Sequence, residues 1–314
     1  MRVALITTSY PAFPGDPSGH FVQSEARLLA RHADVTVLTT ADGPSVSHAE
    51  PDPLTLFRLP SGTAFGWPGA SSRVHANPLR LLSAASWTHR ARSLLRSLPA
   101  FDRIIAHWAL PSAFPVACGL GVPLEIVSHG ADVRLLARLP SPLRRALMHR
   151  LLRDASQWRF VSLPLHDELA RTLGREQRAR LETIATVAAP PLDLPDVTAA
   201  ITHRREPRGD GRLVVCVGRL VPGKRFDRAL DHVARSARHG TRVVVVGDGP
   251  ERTRLEQHAR ALGVDARFVG RATREDALAW IGAADGLLHA SRAEGLSTVV
   301  REAEALGVPV EIID

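Results

Sequence analysis

Short apolar runs alternate with amphipathic stretches along the whole chain. The runs at 3–8, 35–40, 54–58, 103–107, 124–128, 158–161 and 183–188 have the length and residue types of strands. Between them, apolar residues recur at helical spacing over 19–31, 78–98, 112–119, 142–155 and 164–173. In the first of these helices Phe21, Val22, Leu28 and Leu29 are the expected core face. Residues 60–77 are rich in Gly, Pro and Ser and read as a loop. Residues 191–211 combine prolines, glycines and charges with little periodicity, which predicts a linker.

The alternation then restarts. Strands are predicted at 213–217, 242–246, 267–269, 286–289 and 308–313, and helices at 226–238, 251–262, 274–283 and 298–306. Four consecutive valines, Val243 to Val246, suit a strand covered on both faces, and hence a parallel sheet. Strands that alternate with helices build βαβ units. The pattern predicts two doubly wound α/β domains, 1–190 and 212–314, rather than a short-period repeat array.

Composition changes this picture little. A chain of 314 residues, 45% hydrophobic and 23% charged, is ordinary for a globular protein of two domains. Cys118 and Cys216 are isolated and read as small buried hydrophobes, not as a disulfide framework. The apolar start is too short for a signal-peptide core, and no run approaches the roughly 18 apolar residues of a membrane span. The expected location is cytoplasmic, with the inner membrane face as a surface to rest on. The net charge is +8, carried almost wholly by arginine; Lys224 is the only lysine. A GC-rich coding sequence produces that bias by itself. The arginines are spread over both halves and no nucleic-acid module is present, so nucleic acid is not an expected partner.

Ligands of doubly wound sheets bind beyond the carboxyl ends of the strands, so the residues after each strand carry the chemistry. The segment EGLSTVVREAEALGVP (294–309) places Glu294 and Gly295 before a helix capped by Ser297 or Thr298, with Glu302 just over one turn inside. Amides at such a helix start can hold a phosphate, and two carboxylates can accept from vicinal hydroxyls. A dipole-favoured Glu294 and a solvated Glu302 explain the spacing equally. In GRLVPGKRFD (218–227), Arg219 and Lys224 flank a Pro-Gly turn after a strand, suited to a diphosphate or simply to solvent. VVVVGDGPER (243–252) imitates a dinucleotide fingerprint, but Arg252 stands where the third glycine belongs.

GRLVPGKRFD, VVGDGPER, FVGR (268–271) and the glutamates of EGLSTVVREAEALGVP fall in the order and spacing of one family. Together with SYPAFPGDPSGHFV (9–22), HWALPSAF (107–114) and SHGADV (128–133), they make the chain resemble the family 4 retaining glycosyltransferases over nearly all its length. That resemblance implies the GT-B fold of two Rossmann-like domains. It implies that Arg219 and Lys224 neutralise the diphosphate of a nucleotide-sugar donor, that Glu302 binds the ribose and Glu294 the transferred sugar. The amides of Gly295, Leu296 and Ser297 would support the phosphate or sugar, and Val269 and Arg271 would read the base through their backbone. Gly15 and Gly19 would admit the diphosphate from the other domain, and His129 would lie beside the sugar.

The implied reaction moves a hexose from a UDP- or GDP-linked donor to a hydroxyl of a glycan or lipid-linked acceptor with retention of configuration. No metal is expected, since no Asp-x-Asp or ligand cluster occurs. The arginine- and leucine-rich stretches 78–98 and 134–158 read as basic amphipathic helices able to lie on an anionic membrane, or as ordinary helices with a solvated basic face. Family members continue past the strand after E-x7-E, so the second domain is expected to be shortened at its carboxyl end. A shortened gene, a fragment, or a partner that supplies the rest would each account for this. A sugar-nucleotide-binding remnant without turnover and a nonhydrolysing sugar-nucleotide epimerase are the alternative functions.

Overall fold

A computed structural model describes residues 1–41, 46–49 as backbone, 54–62, 64–65, 73, 77–204, 211–236, 240–291 and 296–313. The chain divides into two compact units: Met1–Pro14 with Ser18–Pro191, and Gly15–Pro17 with Leu192–Asp314.

The first unit runs β1 (Arg2–Ile6), α1 (His20–Ala30), β2 (Asp34–Ala41), β3 (Val46–Ala49), β4 (Leu54–Pro60), α2 (Arg80–Ser97) and β5 (Arg103–His107). It continues with β6 (Leu124–Ser128), α3 (Ala131–Arg138), α4 (Ser141–Asp154), β7 (Ala155–Phe160), α5 (Leu163–Ala170), α6 (Arg175–Ile184) and β8 (Ala185–Val187). Its sheet has the order β3-β4-β2-β1-β5-β6-β7-β8. All neighbours are parallel except β3, which lies antiparallel on β4 at the edge. Covered on both faces, the central strands bury apolar runs: Val3 to Ile6, Ile104 to Ala106, and Ile126 with Val127 are at most 1% exposed.

The second unit holds α7 (Thr198–Arg204), β9 (Leu213–Val217), α8 (Phe226–Arg235), β10 (Arg242–Val246), α9 (Arg252–Ala261) and β11 (Asp265–Gly270). It ends with α10 (Arg274–Ala283), β12 (Gly286–His289), α11 (Thr298–Ala305) and β13 (Val310–Ile312). Its parallel sheet has the order β11-β10-β9-β12-β13. One layer of core packs around Cys216, Phe226, Leu230 and Leu255, the other around Val215, Val244, Leu278 and Ile281. Both cysteines are free, buried thiols, and burial pushes each up to about 12.

Chain order reverses between β1 and β5 in the first sheet and between β9 and β12 in the second. Two adjacent crossovers that leave in opposite directions open a crevice at the carboxyl ends of these strands. Every sequence-predicted motif but FVGR follows one of the strands at or next to such a crevice.

Several expectations are corrected. Part of the expected linker is helix α7; Val197 beside it and Ile201 within it pack into the second core, which anchors the helix on α10. Leu28 is 37% exposed, and α1 instead buries Val22, Ala26 and the charged Glu25. The segment expected to be helical at 112–119 is an irregular wide turn, Ala109–Ala117, broken at Leu110 and Phe114, each of which precedes a proline. Arg92 of α2 satisfies its loose carbonyls, donating to those of Pro115, Val116 and Cys118 at 2.7–2.9 Å.

Candidate functional site

In the second unit the site is built on the ends of β9 and β12. After β9 the chain makes a tight 3₁₀ turn, Pro222–Lys224, and enters α8 through Arg225, whose φ is 51°. Backbone pairing pins this loop to the GDGP turn: Gly218 N–H donates to Val246 O at 2.9 Å, and Leu220 N–H to Asp248 O at 2.9 Å. A Cβ on Gly247 would lie 1.9 Å from Gly218 O, and one on Gly249 would lie 2.3 Å from Leu220 O. The glycines of VVVVGDGPER are therefore needed for loop-against-loop packing, which removes the dinucleotide reading of that motif.

Lys224 is half-buried, and burial together with the nearby Arg219 guanidinium pushes its ammonium down to about 8. It lines a cleft with Val217, Phe226, His289, Ala290 and Ser291. His289 ends β12, and burial and the Lys224 charge push it down to about 4, so it is neutral near pH 7. Ser291 Oγ donates to Gly223 O at 3.5 Å, which places the segment after β12 beside the lysine turn. Arg219 remains exposed at the mouth of the loop.

Ser297 is the N-cap of α11, yet its side chain makes no capping bond, and its Oγ is buried without a partner among the described residues. The amides of the first turn are thus left uncapped by the residue placed to cap them. Leu296 and Ser297 sit at that helix start; Glu294 and Gly295 lie outside the described residues.

Glu302 is not solvated, which corrects the simpler sequence reading. It is 6% exposed and pairs with Arg274 of α10 at 3.2 Å. Arg274 also donates to the carbonyl of Asp193. Val269 falls at a β-bulge: Val245 pairs with Phe268, but Val246 pairs with Gly270, so the ladder skips it. Arg271 follows the strand and is exposed.

Between β1 and α1, Gly15, which groups with the second unit, and Gly19, in the first, have φ of 80° and 68°. Any Cβ at Gly19 would meet Ser9 O at 2.3 Å. His129 follows β6 and is partly buried against Phe21 and Trp108, with ring centroids 4.8 and 4.9 Å away. Its Nε2 lies 2.9 Å from Nδ1 of His107, the last residue of β5. Asp132 holds the turn between them in place: it accepts from Ala109 N–H at 2.8 Å, Ser128 Oγ at 2.7 Å and Gly130 N–H at 3.1 Å. Trp108, with φ 71°, directly precedes Ala109.

Sequence reading missed His107, Asp132, His289 and Ser291 as neighbours of the site. A signal existed for each, because all four lie at, or a few residues beyond, the carboxyl end of a strand next to a switch point. Among the described residues no group of three or more His, Cys, Asp or Glu side chains is arranged to hold a metal ion.

The first unit matches a family model described as a glycosyl transferase 4-like domain, over residues 18–186, and the second matches the glycosyl transferases group 1 model over 199–314. The Bacillus subtilis protein TuaC, assigned as a glycosyltransferase of teichuronic acid biosynthesis, is 29% identical across 100% of this chain and 81% of its own. A GDP-mannose-dependent alpha-mannosyltransferase of Mycobacterium tuberculosis is 29% identical across 99% of this chain and 78% of its own. Among solved structures, HepE of Anabaena in complex with UDP and glucose superposes with a TM-score of 0.65 at 19% identity, covering 99% of this chain and 80% of that one. With one model matched on each α/β unit in chain order, the protein belongs to the group 1, family 4-like glycosyltransferases and has their GT-B fold.

Proposed function

We propose that the protein transfers a hexose from a UDP- or GDP-linked donor to a hydroxyl of a glycan or lipid-linked acceptor, with retention of configuration. The observation that carries this reading is the start of α11, left without a side-chain cap by Ser297, whose hydroxyl has no partner among the described residues, after the strand that pairs with β9, the strand that leads into the Lys224 turn. A helix start and a desolvated cation on neighbouring strand ends make a site for a diphosphate. Arg219 reinforces the charge from the rim, and Glu302, already paired with Arg274, accepts from a ribose hydroxyl. Val269 and Arg271 meet the base through the backbone. Departure of the nucleoside diphosphate needs stabilisation of its developing charge, which these donors supply. The leaving phosphate takes the acceptor proton on the same face of the sugar. Relatives that bear the words GDP-mannose and a neighbour bound to UDP support this donor class.

In this reading His129 is the residue of the first unit assigned to the sugar, and that unit also carries a basic, leucine-studded surface. Leu79, Leu81 and Leu82, at the start of α2, are 70%, 58% and 71% exposed, and Leu143 on α4 is 50% exposed, all interleaved with arginines. Such a surface suits an anionic bilayer that carries a lipid-linked acceptor. Among the described residues no helix is long and apolar enough to cross a membrane.

The test incubates the chain with UDP-glucose, UDP-N-acetylglucosamine or GDP-mannose and vesicles of anionic bacterial lipid extract. The expected result is release of one nucleoside diphosphate, a product with the donor's anomeric configuration, and vesicle binding that weakens in Leu81→Ser/Leu82→Ser. An inverted product would overturn the retaining reading. Conversion of the free sugar nucleotide without any acceptor would assign an epimerase instead.

A further inference from the structure

His107 and Glu25 belong to none of the roles above, yet both are buried beneath His129. His107 is 0% exposed and Glu25, on α1, is 6% exposed. Glu25 Oε1 is taken by Arg159 of β7, which also holds Glu125 of β6 at 2.8 Å. The other oxygen, Oε2, is buried without a hydrogen-bond partner and lies 3.9 Å from His107 Nε2, which is buried without one as well. On its far side His107 meets His129 across the 2.9 Å contact between ring nitrogens.

Only one proton fits between those two nitrogens. If His107 donated it, a neutral His107 would turn a bare Nε2 toward a carboxylate, and two lone pairs would face each other in a buried site. If His129 donates it, His107 carries its proton on Nε2, and the N–H dipole points at the Glu25 charge. The second arrangement is favoured, because electrostatic interactions strengthen away from water. Both rings stay neutral near pH 7: burial and the Arg159 charge push His107 down to about 3, and burial, His107 and Arg159 hold His129 well below its usual value. The charged groups around the pair are thus Glu25 from α1, Arg159 from β7 and, through Arg159, Glu125 from β6.

We propose that Glu25 and His107 are positioning residues that lock His129 as the Nε2–H tautomer, leaving its bare Nδ1 as a hydrogen-bond acceptor for a hydroxyl of the bound ligand. Among the described residues no protein group is bonded to Nδ1, and it is not one of the buried polar atoms left without a partner. Phe21 and Trp108 hold the ring plane. Identifying that hydroxyl as one on the transferred sugar rests on the sugar-transfer reading; the tautomer does not.

Long-range proton–nitrogen correlation on the ¹⁵N-labelled whole chain reads the tautomer directly, with the rings assigned through His129→Asn and His107→Asn. The expected spectrum shows Nδ1 of His129 in the range of an unprotonated ring nitrogen and Nε2 in the protonated range, unchanged from pH 6 to 8. In Glu25→Gln, where Glu125 still holds Arg159, the opposite tautomer gains population and kcat falls roughly 10-fold, as when an orienting partner is removed, with donor KM near wild type. A protonated Nδ1 in the wild type, or an unchanged tautomer in Glu25→Gln, would overturn the proposal. Absence of sugar transfer alongside the expected spectrum would instead contradict the transfer reading and leave the tautomer lock standing.

Discussion

Replacing Lys224 with alanine is expected to lower sugar transfer by roughly 100- to 1,000-fold, the loss seen when one preorganised donor to a developing negative charge is removed. The size follows from the setting. Lys224 sits on a turn pinned to the GDGP loop and lines the cleft at the β9/β12 switch point. Its charge is already costly there, since burial and Arg219 push its pKa down to about 8. A bound diphosphate relieves that cost, so binding and protonation favour each other. The ammonium is present below its pKa; donor affinity should hold below about pH 8 and decline as pH rises through and beyond it. Lys224→Arg, which keeps its charge at all these pH values, should flatten the decline while losing part of the affinity through altered geometry. Donor KM and kcat measured from pH 6.5 to 9.5 for the three proteins check both effects. A flat wild-type profile would show that the Lys224 charge does not take part.

Glu302→Ala is expected to destabilise the second unit by about 3–5 kcal/mol, because it leaves the Arg274 guanidinium buried without its partner. The two side chains are only 8% and 12% exposed and join α11 to α10. Loss of nucleotide binding in this variant would therefore mix a lost ribose contact with a loosened helix. Denaturant unfolding separates the two: Glu302→Leu combined with Arg274→Met, which removes both charges, should be less destabilised than Glu302→Ala alone. A neutral Glu302→Ala would mean that the pair does not hold the helices together.

Strands 103–107, 124–128, 213–217, 242–246 and 286–289 appear at their expected bounds, because residues covered on both faces leave a largely apolar run. The edge strand β3 pairs with one neighbour only, and 46–49 (VSHA) has no comparable run. Helix α6 was missed since its sequence, REQRARLETI, buries only Leu181 and Ile184. Helix α7 hid among prolines and charges, because what fixes it is packing against α10 rather than its own periodicity.

The site was legible as types and spacing, not as partners. Lys224 and Ser297 could be placed from the strands and helix they follow. The burial of Glu302 depends on Arg274, 28 residues earlier, and the contact between His107 and His129 depends on the pairing of β5 with β6. Neither separation has a local signature. Glu294, the other carboxylate of the expected pair, falls outside the described residues.

The central claim is that the second unit holds a nucleoside diphosphate between the Lys224 turn and the start of α11. Calorimetric titration of the whole chain with UDP and with GDP, in the wild type and in Lys224→Ala, tests it most directly. The account predicts saturable binding of one of the two nucleotides at a single site, weakened at least 10-fold, about 1.4 kcal/mol, in Lys224→Ala. Binding of neither nucleotide, or equal affinity in the variant, would contradict it.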